Sequence, residues 1–298
     1  MTMAQTRKKK LRASSVMGET AWWIACILIA FSTVMPFVWT LATSLKSPEE
    51  AITGFLSIIP THPTLDNYRA VFVETPFLQY IGNSVFLALT GTLTNLFFGG
   101  LAGYALAKLA FPGRKLVFWT FIGSMMVPGI VTMVSTFLVL KQFPLVGGND
   151  IFGQGGTGFI NTFWAIILPG AAGPFACFFM KQFFEGLPDE LGDSARIDGA
   201  SEFKVFSRIY LPLTKAGLAV LGIMTIQAGW NAFVWPLIVL NDPDMFTVQI
   251  ALANFSNEKT TNFGPLMAGA VLTSAPMLLL FLFCQRWIIE GIAQIGLK

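Results

Sequence analysis

Six long apolar stretches alternate with short polar connections along this chain, at about residues 22–45, 81–109, 116–140, 162–184, 213–240 and 266–289. Each exceeds the roughly 20 residues a helix needs to cross a hydrocarbon layer about 30 Å thick. Lipid offers the backbone no water to bond, so helices are the expected form of a crossing. A barrel would show alternating segments of about ten residues, and none occur. The pattern predicts an all-α integral membrane protein with six transmembrane helices. Five of the stretches contain proline (Pro36, Pro128, Pro169 with Pro174, Pro236, Pro276). Each removes a backbone donor and favours a bend, which a membrane tolerates where protein or a wet cavity satisfies the freed carbonyl. In the second stretch, Gly99-Gly100-Leu101-Ala102-Gly103 predicts close approach by another helix.

Composition agrees with burial in lipid. Hydrophobic residues make up 54% of the 298 and charged residues 12%, against about 25% charged in a soluble domain.

Charge placement sets an orientation. With the N-terminus cytoplasmic, Arg7, Lys8, Lys9, Lys10 and Arg12 lie inside, together with the basic residues of the second-to-third and fourth-to-fifth connections. Of 19 Lys and Arg, only Lys46, Arg69, Lys141 and Lys259 then fall outside. Positive residues mark the cytoplasmic side, so both termini are expected there. Residues 1–20 read as a basic cytoplasmic tail that anchors topology, and 21–298 as the membrane domain. The first apolar run is much longer than the 7–15 residues of a signal-peptide core, so it is expected to remain as an anchor. The net charge of +3 reflects this asymmetry and gives no support to nucleic-acid binding.

Chemistry is largely excluded. Cys26, Cys177 and Cys284 lie inside the stretches without metal or redox spacing, and His62 sits in an outer connection. The run Gly153-Gln154-Gly155-Gly156-Thr157-Gly158 fits GxGxxG, but it lies between two crossings rather than in a βαβ unit. No GxxxxGK[ST], HExxH or GxSxG occurs. Any ATP, with its Mg, must therefore be handled by a partner, and no cofactor is expected on this chain. The apolar stretches carry almost no acidic residues, which disfavours an ion-gradient-driven secondary transporter, the main alternative. A membrane scaffold without transport activity is the other.

The connection at 185–212 is long, polar and patterned. Pro188 followed by Asp189 and Glu190 suits a helix start. A first helix to about Ile197 can stop at Asp198-Gly199, because glycine accepts the left-handed conformation. Ser201 can cap a second helix, with Phe203, Phe206, Ile209 and Tyr210 as its apolar side. Pro212 leads into the fifth stretch. Pattern alone leaves a docking site and a packed surface loop equally open.

This loop resembles the EAA loop of ABC-importer permeases, with its pattern EAA, three residues, Gly, nine residues, Ile, one residue, Leu-Pro. Asp193-Ser194-Ala195 takes the EAA place, and Gly199, Ile209 and Leu211-Pro212 fall at the required spacing. The first two positions depart, with Asp for Glu and Ser for Ala. Elsewhere the chain is similar to the maltose-type, binding-protein-dependent sugar-permease family. The similarity is carried by Leu65-Asp66-Asn67-Tyr68, Asn83-Ser84, Gly103-Tyr104-Ala105-Leu106-Ala107, Phe111-Pro112-Gly113-Arg114, Pro128 and Trp230-Asn231-Ala232-Phe233. It covers roughly residues 20 to 298.

The resemblance implies the type I ABC importer permease fold in a bacterial inner membrane and a carbohydrate solute moved by alternating access. It implies a second, different permease subunit, two ATP-binding cassette subunits and a periplasmic or lipid-anchored solute-binding protein. Asp193, Ser194, Ala195, Asp198, Gly199, Ile209, Leu211 and Pro212 would form the coupling element. Asp193 would meet a basic or amide donor on the ATPase. The 291–298 tail would touch the ATPases too. For the solute path, Trp230, Asn231, Phe233 and Trp235 offer aromatic faces for sugar C–H surfaces and a directional amide.

Overall fold

The structure is a computed structural model. It describes residues 3–53, 58–257 and 263–295, and the side chains at 3–17, 48, 52–53, 256–257 and 286–295 lie outside that description. The side chains of Arg7 to Arg12, Lys259, Arg286 and the 291–298 tail lie outside the description.

The described residues form helices and turns without a strand. In chain order the helices are α1 (Met3–Ser44), α2 (Pro48–Thr53), α3 (Asp66–Glu74), α4 (Phe77–Lys108), α5 (Arg114–Met125), α6 (Gly129–Lys141), α7 (Trp164–Gly170), α8 (Pro174–Glu185), α9 (Glu190–Ile197) and α10 (Glu202–Val205). A π turn (Phe206–Tyr210) leads to α11 (Leu211–Leu213), α12 (Lys215–Trp230), α13 (Val234–Val239), α14 (Val248–Asn257) and α15 (Phe263–Ile295). Segments Gly18–Ser44, Phe77–Lys108, Trp164–Glu185 and Phe263–Gln285 are each long and apolar enough to cross a membrane, and counting two bent helix pairs raises the number to six.

Three of the expected crossings are not continuous helices. The third stretch breaks at residues 126–128, where α5 and α6 meet at 107°. Pro128 sits just before α6 with an extended ψ of 132°, and the residue before a proline is itself biased away from helix. At 12 and 13 residues, each half falls short of the 17 or so residues that a crossing requires. The fifth stretch is helical in two pieces, α12 and α13. It opens at residues 231–233 before the short α13, and at Thr214 it turns by 80° from the preceding loop helices. The fourth stretch pauses at 171–173, between Pro169 and Pro174. By contrast, α1 and α15 run unbroken through Pro36 and Pro276.

The described chain divides into two compact units. The first comprises residues 1–74 and 255–272, the second 75–254 and 273–298. In the first, buried Asn67 donates its amide to the carbonyls of Ser44 (2.9 Å) and Lys46 (2.7 Å). The Ser44 and Tyr68 hydroxyls meet at 2.8 Å. Asn67 thus satisfies the Ser44 carbonyl that the end of α1 leaves open, and that of Lys46 just beyond it.

In the second unit α4 is the central helix. A Cβ on Gly99 would lie 2.6 Å from the Cβ of Ala176, and one on Gly103 would lie 2.7 Å from the Cβ of Met180. The small-residue patch therefore lets α8 approach α4 at backbone distance, as the sequence predicted. Tyr104, Ala176, Met180, Phe184, Val205, Phe206, Tyr210 and Leu221 form one buried core around this contact. A second core gathers Leu140, Ile160, Ala165, Val239, Leu240 and Ile250. Cys177 is buried in α8, and Cys26 and Cys284 are half-buried, which fits packing. His62 is exposed in a connection.

The glycine-rich 142–163 connection is built from turns. Asn149 donates to the carbonyls of Lys141 (2.8 Å) and Phe143 (2.9 Å), and accepts from the Gly156 N–H (2.8 Å). Asp150 accepts from the N–H groups of Phe152 and Gln154. Gly153, Gly155 and Gly158 have positive φ. The GxGxxG run is a turn-forming sequence here, with no strand before it.

Candidate functional site

The 185–212 loop begins at the end of α8 and is held at its root by α4. The Lys108 ammonium donates to the Leu187 carbonyl at 2.6 Å and pairs with Asp189 at 2.5 Å. It also lies 5.2 Å from the centre of the Tyr210 ring. The Tyr210 hydroxyl donates to the Pro188 carbonyl at 3.2 Å. A side chain at Gly192 would strike this hydroxyl at 2.8 Å, so only glycine lets α9 lie against the ring. Lys108 beside Asp189 holds that carboxyl below its ordinary range.

Helix α9 ends where the sequence predicts. Gly199 has φ +80°. Its N–H bonds the Arg196 carbonyl at 3.0 Å, and the Ala200 N–H bonds the Ala195 carbonyl at 2.9 Å. These two bonds are a Schellman stop, which requires a left-handed residue at that position. The chain then turns through Ser201 into α10. Ser201 has the extended backbone of a cap (φ −67°, ψ 155°), but its hydroxyl makes no capping bond. The expected cap is therefore only a backbone one. The second helix also differs from expectation, being a short α turn, a π turn and α11 in succession. Phe206 and Tyr210 face the core as predicted, whereas Phe203 is 65% exposed and Val205 takes the inward place.

An ion-paired chain spans the bend. Arg196 donates to Glu202 through Nε at 2.6 Å and Nη2 at 3.2 Å, and to Asp193 through Nη1 at 2.8 Å. The Tyr104 hydroxyl of α4 donates to the same Glu202 carboxylate at 2.8 Å. Hydrogen bonding to the Arg196 guanidinium and, less strongly, to Tyr104 holds the Glu202 carboxyl below its ordinary range, against the opposing effect of burial. The guanidinium is correspondingly raised, chiefly by Glu202. Sequence reasoning gave Arg196, Glu202, Tyr104 and Lys108 no part in fixing the loop, and cast Tyr210 only as one of its apolar-side residues. The signals present were Arg196 three residues after Asp193, and Glu202 just across the glycine bend.

The predicted coupling residues divide into two sets. Asp193, Ser194, Asp198, Gly199 and Pro212 are exposed, while Ala195, Ile209 and Leu211 are half-buried. Ala195 and Leu211 pack on the first core. Beside the exposed set, Ile197 is 86% exposed, and Phe203 and Leu191 are also exposed. The loop thus presents a mixed apolar and acidic outer face on an inner face tied to α4, α8 and α12. Asp193 spends one oxygen on Arg196 within the chain, rather than waiting wholly unpaired for an external donor.

The predicted path residues lie at the opening between α12 and α13. Trp230 is buried, with its indole N–H on the Thr273 carbonyl at 3.2 Å. Trp235 donates to the Ala165 carbonyl at 3.0 Å. Phe233 packs on the second core. Both indole donors are thus engaged with backbone. Asn231 alone of the four is exposed, and its side-chain oxygen lies 3.5 Å from the Gln249 amide nitrogen. Among the described residues no group of His, Cys, Asp and Glu could hold a metal ion.

The family model described as "Binding-protein-dependent transport system inner membrane component" matches residues 95–294. The chain is 36% identical to the arabinooligosaccharides transport system permease protein AraQ of Halalkalibacterium halodurans, over 92% of this chain and 95% of that one. It is 29% identical to the lactose transport system permease protein LacG of Rhizobium radiobacter, over 89% and 91%. Its fold matches a chain in the crystal structure of a bacterial ABC transporter that imports the acidic polysaccharide alginate. The TM-score is 0.80 at 19% identity, covering 92% of this chain and 97% of that one.

Proposed function

Because the chain belongs to the family of binding-protein-dependent transport system inner membrane components, and is a membrane-spanning permease subunit rather than an ATPase, we propose that it forms one half of the path of an ATP-driven carbohydrate importer. Both relatives described above are named for sugars, which supports the solute class. Its surroundings in this reading are a bacterial inner membrane, a different permease subunit, two ATP-binding cassette subunits that hold ATP and Mg, and an external solute-binding protein. Residues 1–20 form a cytoplasmic tail and 21–298 the permease domain.

The observation that carries the proposal is the rigid bend at Gly199. Asp193, Ser194, Asp198 and Gly199 form the face that an ATPase grips, with Ala195, Ile209 and Leu211 behind it and the exposed Pro212 at the exit into the fifth stretch. Lys108, Tyr210 and the Asp193–Arg196–Glu202–Tyr104 chain fix this face to α4, and the core beneath fixes it to α8 and α12. A displacement of the loop therefore moves three helices together. The need for a second permease is supported by the α5–α6 break, where Met126 is 80% exposed. Irregular backbone at membrane depth is tolerated only against protein or water.

The test exploits the space around Gly199. A Cβ there would meet nothing within 4 Å, yet φ is +80°. A substitution therefore acts through backbone strain rather than crowding. Gly199→Val should oppose the bend by about 1–2 kcal/mol, depleting it roughly ten-fold. Gly199→Asn, which tolerates the left-handed region better, should lose much less. Expected are normal membrane insertion in both variants and a fall of solute-stimulated ATP hydrolysis and uptake in the valine variant only. Full coupling in Gly199→Val would remove the lever from the mechanism.

A further inference from the structure

A cleft of about 690 Å³ opens beside the α4–α5 turn, lined by Phe111, Arg114, Lys115, Phe118, Lys181 and Glu185. It shares only Glu185, the first residue of the 185–212 loop, with the coupling loop, and nothing with the proposed solute path. Its walls carry three cations and one carboxylate. The Lys181 side chain is 10% exposed, paired with Glu185 at 2.5 Å and lying 4.2 Å from the centre of the Phe118 ring. Arg114 donates through Nη1 to the Leu109 carbonyl at 3.1 Å, which holds its guanidinium across the turn. Lys115 is exposed.

Immediately beyond the cations, α5 turns a strongly apolar surface outward. Leu116 is 73% and Trp119 65% exposed, and Val117 is exposed as well. A pocket for a small soluble anion needs no such surface. A cationic cleft that gives directly onto an exposed apolar helix matches an amphiphile with an anionic head and an acyl tail. Aromatic and basic residues of this kind mark the boundary between hydrocarbon and water.

We propose that this cleft binds the phosphate of an anionic membrane phospholipid, with the acyl chains lying along Leu116 and Trp119. Arg114, Lys115 and Lys181 attract the phosphate. Glu185 holds Lys181 when the cleft is empty and partly opposes the ligand. The proposal takes from the family reading only that the chain crosses a membrane, and its test does not involve transport.

The test is native mass spectrometry of the purified intact assembly, equilibrated with phosphatidylglycerol in a zwitterionic background. The double variant R114Q/K115Q should retain phosphatidylglycerol roughly ten- to thirty-fold less well than the parent, at about 1 kcal/mol for each basic residue near the surface. Lys215→Gln, which removes one exposed cation outside the cleft, should leave retention within about two-fold. Glu185→Gln should raise retention, because it removes the opposing charge and frees Lys181. That opposite sign keeps the test decisive if the double variant fails to assemble. Equal retention in the double variant, or no rise in Glu185→Gln, overturns the proposal. Displacement of the lipid by millimolar inorganic phosphate or glycerol phosphate would mark the cleft as a soluble-anion site and overturn it as well.

Discussion

At the scale of single residues, Glu202 joins the loop to α4. It accepts from Arg196 across the bend and from Tyr104 of α4. Its carboxyl is depressed from an ordinary value of 4.5. A depressed carboxyl contributes stability that is present above its unfolded value and is lost as pH falls through the lower, folded one. The side chain is 48% exposed, so solvent limits its contribution to about 1 kcal/mol or less. The difference in thermal midpoint between the parent and Glu202→Gln should therefore stay constant from pH 8 down to about 4.5 and shrink below it. A difference that grows on acidification would contradict the assignment of Arg196 as the main partner. Asn231 poses a different question, because it has an exposed amide where its aromatic neighbours are engaged. Asn231→Leu should reduce uptake several-fold with assembly intact, by the ordinary energy of one or two lost hydrogen bonds. Unchanged uptake would take it out of the solute path.

At the scale of elements, the contact of α4 with α8 depends on glycine. Valine at Gly99 or Gly103 would press on Ala176 or Met180 at under 3 Å. Each change should cost about 1–3 kcal/mol in detergent unfolding. Gly91→Ala, where nothing lies within 4 Å, should stay within about 0.5 kcal/mol. Equal effects at Gly91 and Gly103 would mean that the patch does not set helix spacing. The same scale separates prolines that break a helix from those that do not. Pro128 coincides with a 107° turn, while α1 and α15 continue through Pro36 and Pro276. A missing N–H removes one bond in either case. Whether the helix stops depends on what packs around the freed carbonyl, which composition does not record.

At the scale of the whole molecule, the orientation still rests on the distribution of basic residues. The natural cysteines can be replaced and single ones introduced at Ser194 and Gln154, both exposed. In membranes that carry the chain without an ATPase to cover position 194, a membrane-impermeant maleimide should label position 194 only in inverted vesicles and position 154 only in right-side-out ones. The reverse pattern would place the loop away from any cytoplasmic ATPase and end the proposed mechanism. Hydropathy by itself determined the membrane class, the number of apolar stretches and the helical form, because lipid removes water as a hydrogen-bond partner along every stretch alike. The spacing from Asp193 to Pro212 located the loop, and Asp198-Gly199 located its bend, because a left-handed stop is a local property of the backbone. Tertiary structure alone decided the rest. It selected Val205 over Phe203 for the core, left Ser201 without a capping bond, joined Arg196 and Glu202 to Tyr104 some hundred residues away, and engaged the indole donors of Trp230 and Trp235 with distant carbonyls. Those outcomes depend on which surfaces meet across the bundle, and one-dimensional periodicity contains no term for such meetings.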